Sequence, residues 1–352
     1  MNETDLKIIQ AVLDRAEAVC PDALDALGVY GSVNTGDTHE KSDLDLLILI
    51  SDEAGFRLAE GFLLDDTQIA YDIYCTTWEA LEADAECRHA HLSKLMDAHI
   101  VYARNSAVTE RLDGLRERAR EILRSEKRFD RAEALMPRIC SAYADLMTGE
   151  TLGAARAGAA SMLSSALDMV MLQNGAYFHR GVKRTFEELD GLSLPENFRE
   201  NILSLIRAED TETLRARATA LLKTLRRFIR RETPKEQPSP ENLSGTYEEM
   251  FSNWKNKMPE AADRNDVFSS FMNLASLQGM LGELAESLDL PEISVLDDFD
   301  ASDLPHNTAA FDRALEQYLE EYQKLGMTPK HYPSVDAFAE AYTSRQSDAD
   351  GR

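Results

Sequence analysis

The segment VYGSVNTGDTHEKSDLDLLILI, residues 29–50, determines the fold predicted for the first third of the chain. It ends in a run of leucine and isoleucine, and the acids Asp43 and Asp45 stand at the start of that run. The run DLDLLILI, residues 43–50, is apolar enough to be a strand buried on both faces. Two carboxylates at the mouth of such a strand are costly unless their charge is compensated. The sequence therefore predicts a buried strand with a cation bound at its N-terminal end.

Three further stretches are typical of strands around this one. LGVYG (27–31), QIAYDIYC (68–75) and HIVYA (99–103) are apolar and rich in β-formers. Between the last two, TTWEALEADAECRHAHLSKLMDA (76–98) is typical of a helix. The predicted fold class is α+β, with a small mixed-sheet domain followed by a large all-helical C-terminal region.

After residue 107 the strand signals stop, and apolar residues recur at the three-to-four spacing of helices. The segment at 233–245 has three prolines and no periodicity, which is typical of a linker. The predicted order is a first domain at 1–107, a helical bundle domain at 108–232, a linker at 233–245, a further helical region at 246–345 and a disordered tail at 346–352. The sequence leaves open whether the region at 246–345 is a separate domain or completes the bundle.

The composition limits the partners of the chain. The 38 lysines and arginines face 63 aspartates and glutamates, a formal net charge of −25, which argues against a long nucleic acid as substrate. No apolar run approaches the roughly 18 to 20 residues that span a bilayer, and the N-terminus lacks the pattern of a signal peptide. None of the four cysteines is at C-x-x-C spacing, which favours buried reduced thiols. We therefore expect a cytoplasmic protein without a membrane partner.

Three acids in the first domain predict a metal site. Asp43 and Asp45 are two apart, so a strand places both on one face. Asp72 lies within the strand predicted at 68–75, and it completes a carboxylate triad if the two strands are neighbours. Carboxylate oxygens suit magnesium, and such a triad can hold two divalent ions roughly 3.5 to 4 Å apart for in-line displacement at phosphorus.

Upstream of the acids, Gly31 and Ser32 directly follow the first predicted strand. Glycine permits a close approach to the backbone, and serine adds a hydroxyl donor. If a helical turn starts at Ser32, its free N–H groups favour an anion. A phosphate beside two metal-binding acids is chemically coherent.

This order of residues resembles the DNA polymerase β-like nucleotidyltransferase superfamily. The shared pattern is a hydrophobic residue with Gly31-Ser32, a gap of ten, and then Asp43-Leu44-Asp45, with a lone acid on a later strand. Ser42 directly before Asp43 is similar to the small-molecule branch, which includes aminoglycoside nucleotidyltransferases. The resemblance covers roughly residues 25 to 105.

The resemblance implies a role for each matching residue. Gly31 and Ser32 would hold the terminal phosphates of ATP or another nucleoside triphosphate, and Asp43 and Asp45 would bind both Mg²⁺ ions. Asp72 would bind the catalytic ion or act as general base for the acceptor hydroxyl. That hydroxyl attacks the α-phosphate and pyrophosphate leaves, with catalysis mostly by positioning and charge neutralisation.

The chain departs from this pattern at Thr35, where members of the branch often carry a basic residue. The triphosphate then needs cations from elsewhere. The sequence offers them at Lys41, Lys94, Arg180, Lys183 and Arg184. The last three belong to NGAYFHRGVKR (174–184), a connection between helices that could form a lip over the cleft.

The leading hypothesis is a Mg²⁺-dependent nucleotidyltransferase that transfers AMP to a hydroxyl of a small-molecule acceptor. An aminoglycoside-like acceptor is the first choice, because an acidic cleft attracts a polycation. Two alternatives stay open, an antitoxin-type or protein-modifying nucleotidyltransferase and a degenerate nucleotide-binding module. The sequence also leaves open whether a homodimer closes the active site.

Overall fold

A computed structural model of the protein describes residues 1–39, 42–230 and 234–344. The chain divides into two compact units, Met1–Arg230 and Arg231–Arg352. The regions predicted at 1–107 and 108–232 therefore fall, up to Arg230, within one unit.

The predicted linker and tail lie only partly in the described residues. The tail at 346–352 and residue 233 of the linker lie outside them. The rest of the predicted linker belongs to the second unit, where Glu236 forms a β-bridge with Leu288 and a short helix follows at Pro240–Leu243.

The first unit contains a mixed sheet and a hairpin. Its described strands are β1 (Leu24–Tyr30), β2 (Asp45–Ile50), β3 (Glu60–Leu64), β4 (Ile69–Ile73), β5 (Cys75–Thr77) and β6 (His99–Ala103). The sheet has the order β5-β2-β1-β6, with β1 antiparallel to β2 and β6 and with β2 parallel to β5. The pair β3–β4 forms a separate antiparallel hairpin. The predicted α+β class with a small mixed sheet is confirmed.

The strand predicted at 68–75 is divided between two partners. Its first part, β4, pairs with β3, and only β5 pairs with β2. A tight turn makes this possible, since Gln68 has a φ of 54° and its N–H donates to the Leu64 carbonyl at 2.8 Å. The residues of β3 are half or fully exposed, so this segment lacks the buried apolar pattern that predicts a strand.

Helices surround the sheet and form the rest of the first unit. They are α1 (Glu3–Val19), α2 (Ser32–Thr35), α3 (Trp78–Ala85), α4 (Ser93–Met96), α5 (Ser106–Arg124), α6 (Lys127–Glu133), α7 (Met136–Thr148), α8 (Leu152–Gln173), α9 (Thr185–Glu188), α10 (Phe198–Ile206) and α11 (Thr211–Ile229). The prediction of a single helix at 76–98 is wrong. The segment breaks into α3 and α4, because Cys87 adopts a φ of 51° and the Ala90 N–H donates to the buried Asp168 carboxylate at 2.9 Å.

Strand β2 is buried on both faces, as predicted. Leu46, Ile48 and Ile50 lie in the core that includes α1, and Leu47 and Leu49 lie in the core that includes α3 and α5. The strand therefore holds its first residue firmly at the edge of the core.

Helices α5 to α11 form a bundle with its own core. Helices α7 and α8 pack closely, since a Cβ on Gly158 would lie 2.6 Å from the Leu146 backbone nitrogen. The small-residue stretch of α8 thus permits the close packing that its sequence predicted.

The second unit is helical in its described part. Its helices are α12 (Pro240–Leu243), α13 (Thr246–Met250), α14 (Lys257–Asp263), α15 (Val267–Ser287), α16 (Leu304–Lys324) and α17 (Val335–Ser344), with a π-helical turn at Phe251–Lys255. Its core gathers around Leu274, Phe311 and Tyr318. Across the parts of both units that are described, no helix is long and apolar enough to cross a membrane.

Candidate active site

Gly31 makes the turn from β1 into α2. Its φ of 69° and ψ of −147° belong to a region that is essentially restricted to glycine. A Cβ at this position would lie 1.8 Å from the Asp45 Oδ2. The absence of a side chain therefore lets the Asp45 carboxylate lie directly against the backbone of the turn.

The carboxylates of Asp43 and Asp45 form the centre of the site. Burial raises the pKa of Asp45, the charge of Asp43 raises it further, and a hydrogen bond from the Ser32 N–H lowers it. The first N–H of α2 thus points at Asp45. Within the described ranges 1–39, 42–230 and 234–344, no lysine or arginine forms an ion pair with either acid. The pair of acids is therefore a partly buried negative site.

Two tyrosines border these acids. Tyr30 is the β1 partner of Asp45, and its hydroxyl lies 2.5 Å from the Tyr74 hydroxyl. Burial raises the pKa of Tyr30, as do Tyr74 and, more weakly, the charges of Asp45 and Asp43. Tyr30 is therefore a neutral hydroxyl near the carboxylates, and its hydrogen-bond partner Tyr74 is 41% exposed.

Asp72 lies on β4, opposite Gly61 of the hairpin, and is exposed. Its neighbour Tyr71 has a pKa raised mainly by burial, with Asp43 among the charges that contribute. Among the residues that the structure describes, no group of three or more His, Cys, Asp or Glu side chains could hold a metal ion. Among these residues the structure thus shows no three-carboxylate ligand set of Asp43, Asp45 and Asp72, and β4, which carries Asp72, pairs with β3.

Of the remaining predicted residues in the first domain, Ser42 closes the loop before Asp43. Its Oγ accepts from the His39 N–H at 2.9 Å, and its own N–H donates to the His39 carbonyl at 2.9 Å. Lys94 lies with its Nζ 5.9 Å from the centre of the Tyr74 ring and 3.7 Å from an Asp84 oxygen. Lys41 lies outside the described residues.

The cations of the predicted lip contact the loop after α2. Lys183 Nζ donates to the backbone oxygen of Asp37 at 2.7 Å. Arg180 and Arg184 each lie 3.3 Å from an oxygen of the Asp37 carboxylate. These residues come from the chain between α8 and α9, and we call residues 177–184 the basic segment. The structure thus brings the basic segment to the loop between Ser32 and Asp43.

Asp97 is a second link between the basic segment and α2, and sequence reasoning missed it. Its backbone oxygen accepts from Asn34 Nδ2 at 2.8 Å, and its carboxylate accepts from the Tyr177 hydroxyl at 2.7 Å. His179 Nδ1 lies 3.0 Å from the other carboxylate oxygen, and this hydrogen bond raises the pKa of His179. No spacing could have revealed the cluster, since Asp97 lies 63 residues from Asn34 and 82 residues from His179 in sequence.

Comparison with known proteins identifies the domain that holds these acids. Residues 7–126 match the family model of the nucleotidyltransferase domain. The chain carries a nucleotidyltransferase domain. It is therefore a transferase, and the resemblance seen in its sequence is confirmed at the level of this domain. The matched segment contains Gly31, both central acids and Asp72, whereas the basic segment lies outside it.

No curated protein matches the chain. Among solved structures, it is similar to a nucleotidyltransferase-like protein from Exiguobacterium sibiricum, with 14% identity and a TM-score of 0.36 over 80% of this chain and 89% of the other. Similarity at this level carries no functional inference.

Proposed function

We propose that the nucleotidyltransferase domain transfers a nucleoside monophosphate from a nucleoside triphosphate to a hydroxyl of a small-molecule acceptor, with Mg²⁺ as cofactor. The observation that carries the proposal is the pair Asp43 and Asp45. Their charges raise the energy of the metal-free site, and no described lysine or arginine pairs with them. A cation brought with the substrate would remove this cost.

The donor set fits magnesium. Mg²⁺ is usually bound through one or two carboxylates plus substrate phosphates and water, rather than by an all-protein cage. Asp43 and Asp45 supply the two carboxylates, and the triphosphate would supply further oxygens. When bound, the metal would neutralise charge on the triphosphate and on the leaving pyrophosphate.

The chain's own residues would position the substrates and accept the proton. The acceptor oxygen forms a bond to the α-phosphorus, the bond from that phosphorus to the bridging oxygen breaks, and pyrophosphate leaves. The hydroxyl proton needs a base. We assign this role to Asp72, which is exposed on the strand that leads into β5. Gly31 keeps Asp45 close to the turn.

The choice of substrates rests on charge. ATP is the first nucleotide to test, and the acceptor class is a cationic, hydroxyl-rich molecule such as an aminoglycoside. A formal net charge of −25 favours the approach of a polycation.

Titration with nucleotides tests the proposal. We expect one of the four ribonucleoside triphosphates to raise the melting temperature only when Mg²⁺ is present. At a free nucleotide concentration of 100 times Kd the stabilisation is about 2.7 kcal/mol. The measurement is a thermal-shift titration of the wild type and of Asp43→Asn, which should show no such rise. An equal rise in the variant would mean that the nucleotide binds without these acids, and no rise with any triphosphate would favour the degenerate-module alternative.

A second variant separates the base from the metal ligands. Asp72→Asn should keep the Mg²⁺-dependent rise in melting temperature but lower kcat by about 10²- to 10⁴-fold, the usual contribution of a general base. The measurement is the rate of pyrophosphate release with an acceptor that the wild type uses as a substrate. The control is Asp66→Asn, which changes another exposed acid of the same hairpin. Loss of the nucleotide-dependent rise in Asp72→Asn would instead show that Asp72 binds the metal.

A further inference from the structure

The loop that would face the triphosphate is itself acidic. Residues 31–45 contain four acids and one lysine, Lys41. A polyphosphate carries several negative charges, so this loop alone would repel it. Cations from another part of the chain, held beside the loop, would offset this repulsion.

Among the described residues of this loop, Asp37 contacts such cations. It follows the end of α2 by two residues, and its side chain is only 12% exposed. One carboxylate oxygen faces Arg180 Nε and the other faces Arg184 Nη2, each at 3.3 Å. Its backbone oxygen accepts from Lys183 Nζ at 2.7 Å. A single aspartate thus contacts three cations of the basic segment.

The other acid in contact with these arginines cannot replace Asp37. Glu187 lies 3.5 Å from Arg180 and 2.6 Å from Arg184. It belongs to α9, which directly follows the basic segment, so these ion pairs hold the arginines to their own part of the chain. Asp37 is the carboxylate that ties both guanidinium groups to the loop before Asp43.

Both arginines retain donors for an anion. A guanidinium has five N–H groups, and the contacts with Asp37 and Glu187 occupy only part of them. Their side chains are 40% and 39% exposed, so a ligand can reach them. In addition, Arg184 Nε is buried and has no hydrogen-bond partner among the described residues.

From this geometry we infer that Asp37 is a positioning residue, which holds Arg180 and Arg184 against the loop before Asp43 so that their remaining N–H groups bind the polyphosphate of the nucleotide. The inference rests on the proposed function and adds to it the source of the cations that Thr35 does not provide. Asp37 acts through the arginines and does not touch the phosphate.

The direction in which one substitution changes the affinity for an anion distinguishes a positioning role of Asp37 from simple charge repulsion. Asp37→Asn removes a negative charge near the phosphate, which by Coulomb attraction alone would strengthen anion binding. If Asp37 positions the arginines, the same change weakens binding. We expect about a five- to tenfold rise in the Kd for inorganic tripolyphosphate with Mg²⁺, the usual size of a coupling between linked groups. Asp37→Glu, which keeps the charge, should recover most of the affinity.

The measurement is calorimetric titration with tripolyphosphate, together with KM and kcat for the nucleotide. Glu82→Gln is the matched control, because it removes a carboxylate that pairs with Arg111 at 2.7 Å elsewhere in the same unit. In Asp37→Asn we expect KM to rise with little change in kcat. Unchanged or tighter tripolyphosphate binding in Asp37→Asn would overturn the inference, as would a wild type that does not bind tripolyphosphate.

The proposed function has a separate test. If Asp45→Asn turned over at the wild-type rate, the proposed metal-binding role of Asp43 and Asp45 would be refuted, independently of the role of Asp37. If Asp45→Asn is inactive while Asp37→Asn behaves like Glu82→Gln, only the role of Asp37 is refuted.

Discussion

Asp45→Asn is expected to abolish nucleotidyl transfer and at the same time to raise the melting temperature of the metal-free protein. Turnover should fall by roughly 10³-fold, because under the proposed function the variant loses a carboxylate that would hold charge-neutralising metal at the reacting phosphate. Stability should rise because burial and the charge of Asp43 raise the pKa of the Asp45 carboxyl. An asparagine has the same shape and can still accept the hydrogen bond from the Ser32 N–H.

The stability gain should depend on pH in a defined direction. A carboxyl with a raised pKa in the folded protein is more easily protonated there than in the unfolded chain, so its ionisation destabilises the fold. This loss of folding stability is absent below the pKa of the unfolded chain, near 3.8. It grows as the pH rises towards the higher pKa of Asp45 in the folded protein. The difference in melting temperature between Asp45→Asn and the wild type should therefore be largest at neutral pH and shrink as pH falls.

Thermal denaturation in chelator-treated buffer at several pH values measures this difference, and pyrophosphate release measures the activity. Adding Mg²⁺ with the nucleotide should stabilise the wild type and not the variant. Glu82→Gln, an exposed carboxylate-to-amide change in the same unit, controls for the loss of one negative charge. A variant that is inactive but less stable at every pH would show that Asp45 holds the fold together by other contacts.

The sequence predicted the buried strand that begins at Asp45 because the signals of that strand are local. The apolar residues of β2 alternate between two cores, so the position of Asp45 at the mouth of a buried strand follows from a run of eight residues. The glycine turn before α2 is equally local. For the same reason the α+β class could be predicted from short segments.

The parts that sequence reasoning missed depend on contacts between distant residues. A single strand at 68–75 next to β2 would place Asp72 near Asp45, but β4 pairs with β3 after a tight turn and only β5 pairs with β2. The contacts of Asp37 with Lys183 and of Asp97 with His179 join residues 146 and 82 positions apart. Neither acid belongs to a periodic pattern, so only the packed bundle reveals what it binds.

Gly31→Ala is the second variant with a large expected effect, and it tests the geometry rather than the charge of the site. The added Cβ would lie 1.8, 2.6 and 2.9 Å from the Oδ2, Cγ and Cβ of Asp45. A rotation of the carboxylate alone cannot relieve the contact with the Asp45 Cβ, so the strand end or the turn must move. A displacement of about 1 Å in a catalytic group can lower the rate by about 10²-fold.

The same substitution should also destabilise the fold. Gly31 has a φ of 69° and a ψ of −147°, a conformation that costs other residues of order 1–3 kcal/mol. For a unit of this size that corresponds to a fall of roughly 2–4 °C in melting temperature per kcal/mol. We therefore expect Gly31→Ala to lose both activity and stability, whereas Asp45→Asn loses only activity.

Gly191→Ala is the matched control for backbone strain. Gly191 also has a positive φ, 81°, but beyond its chain neighbours no atom of the described residues lies within 4 Å of the Cβ position. Its variant should lose some stability and keep its activity, so the comparison isolates the contact with Asp45. Activity and melting temperature are measured for both variants beside the wild type. If Gly31→Ala retains wild-type turnover, the close approach of Asp45 to the turn is not required for transfer. If Gly31→Ala loses turnover while Gly191→Ala does not, the absence of a side chain at Gly31 is required for the active position of the Asp45 carboxylate.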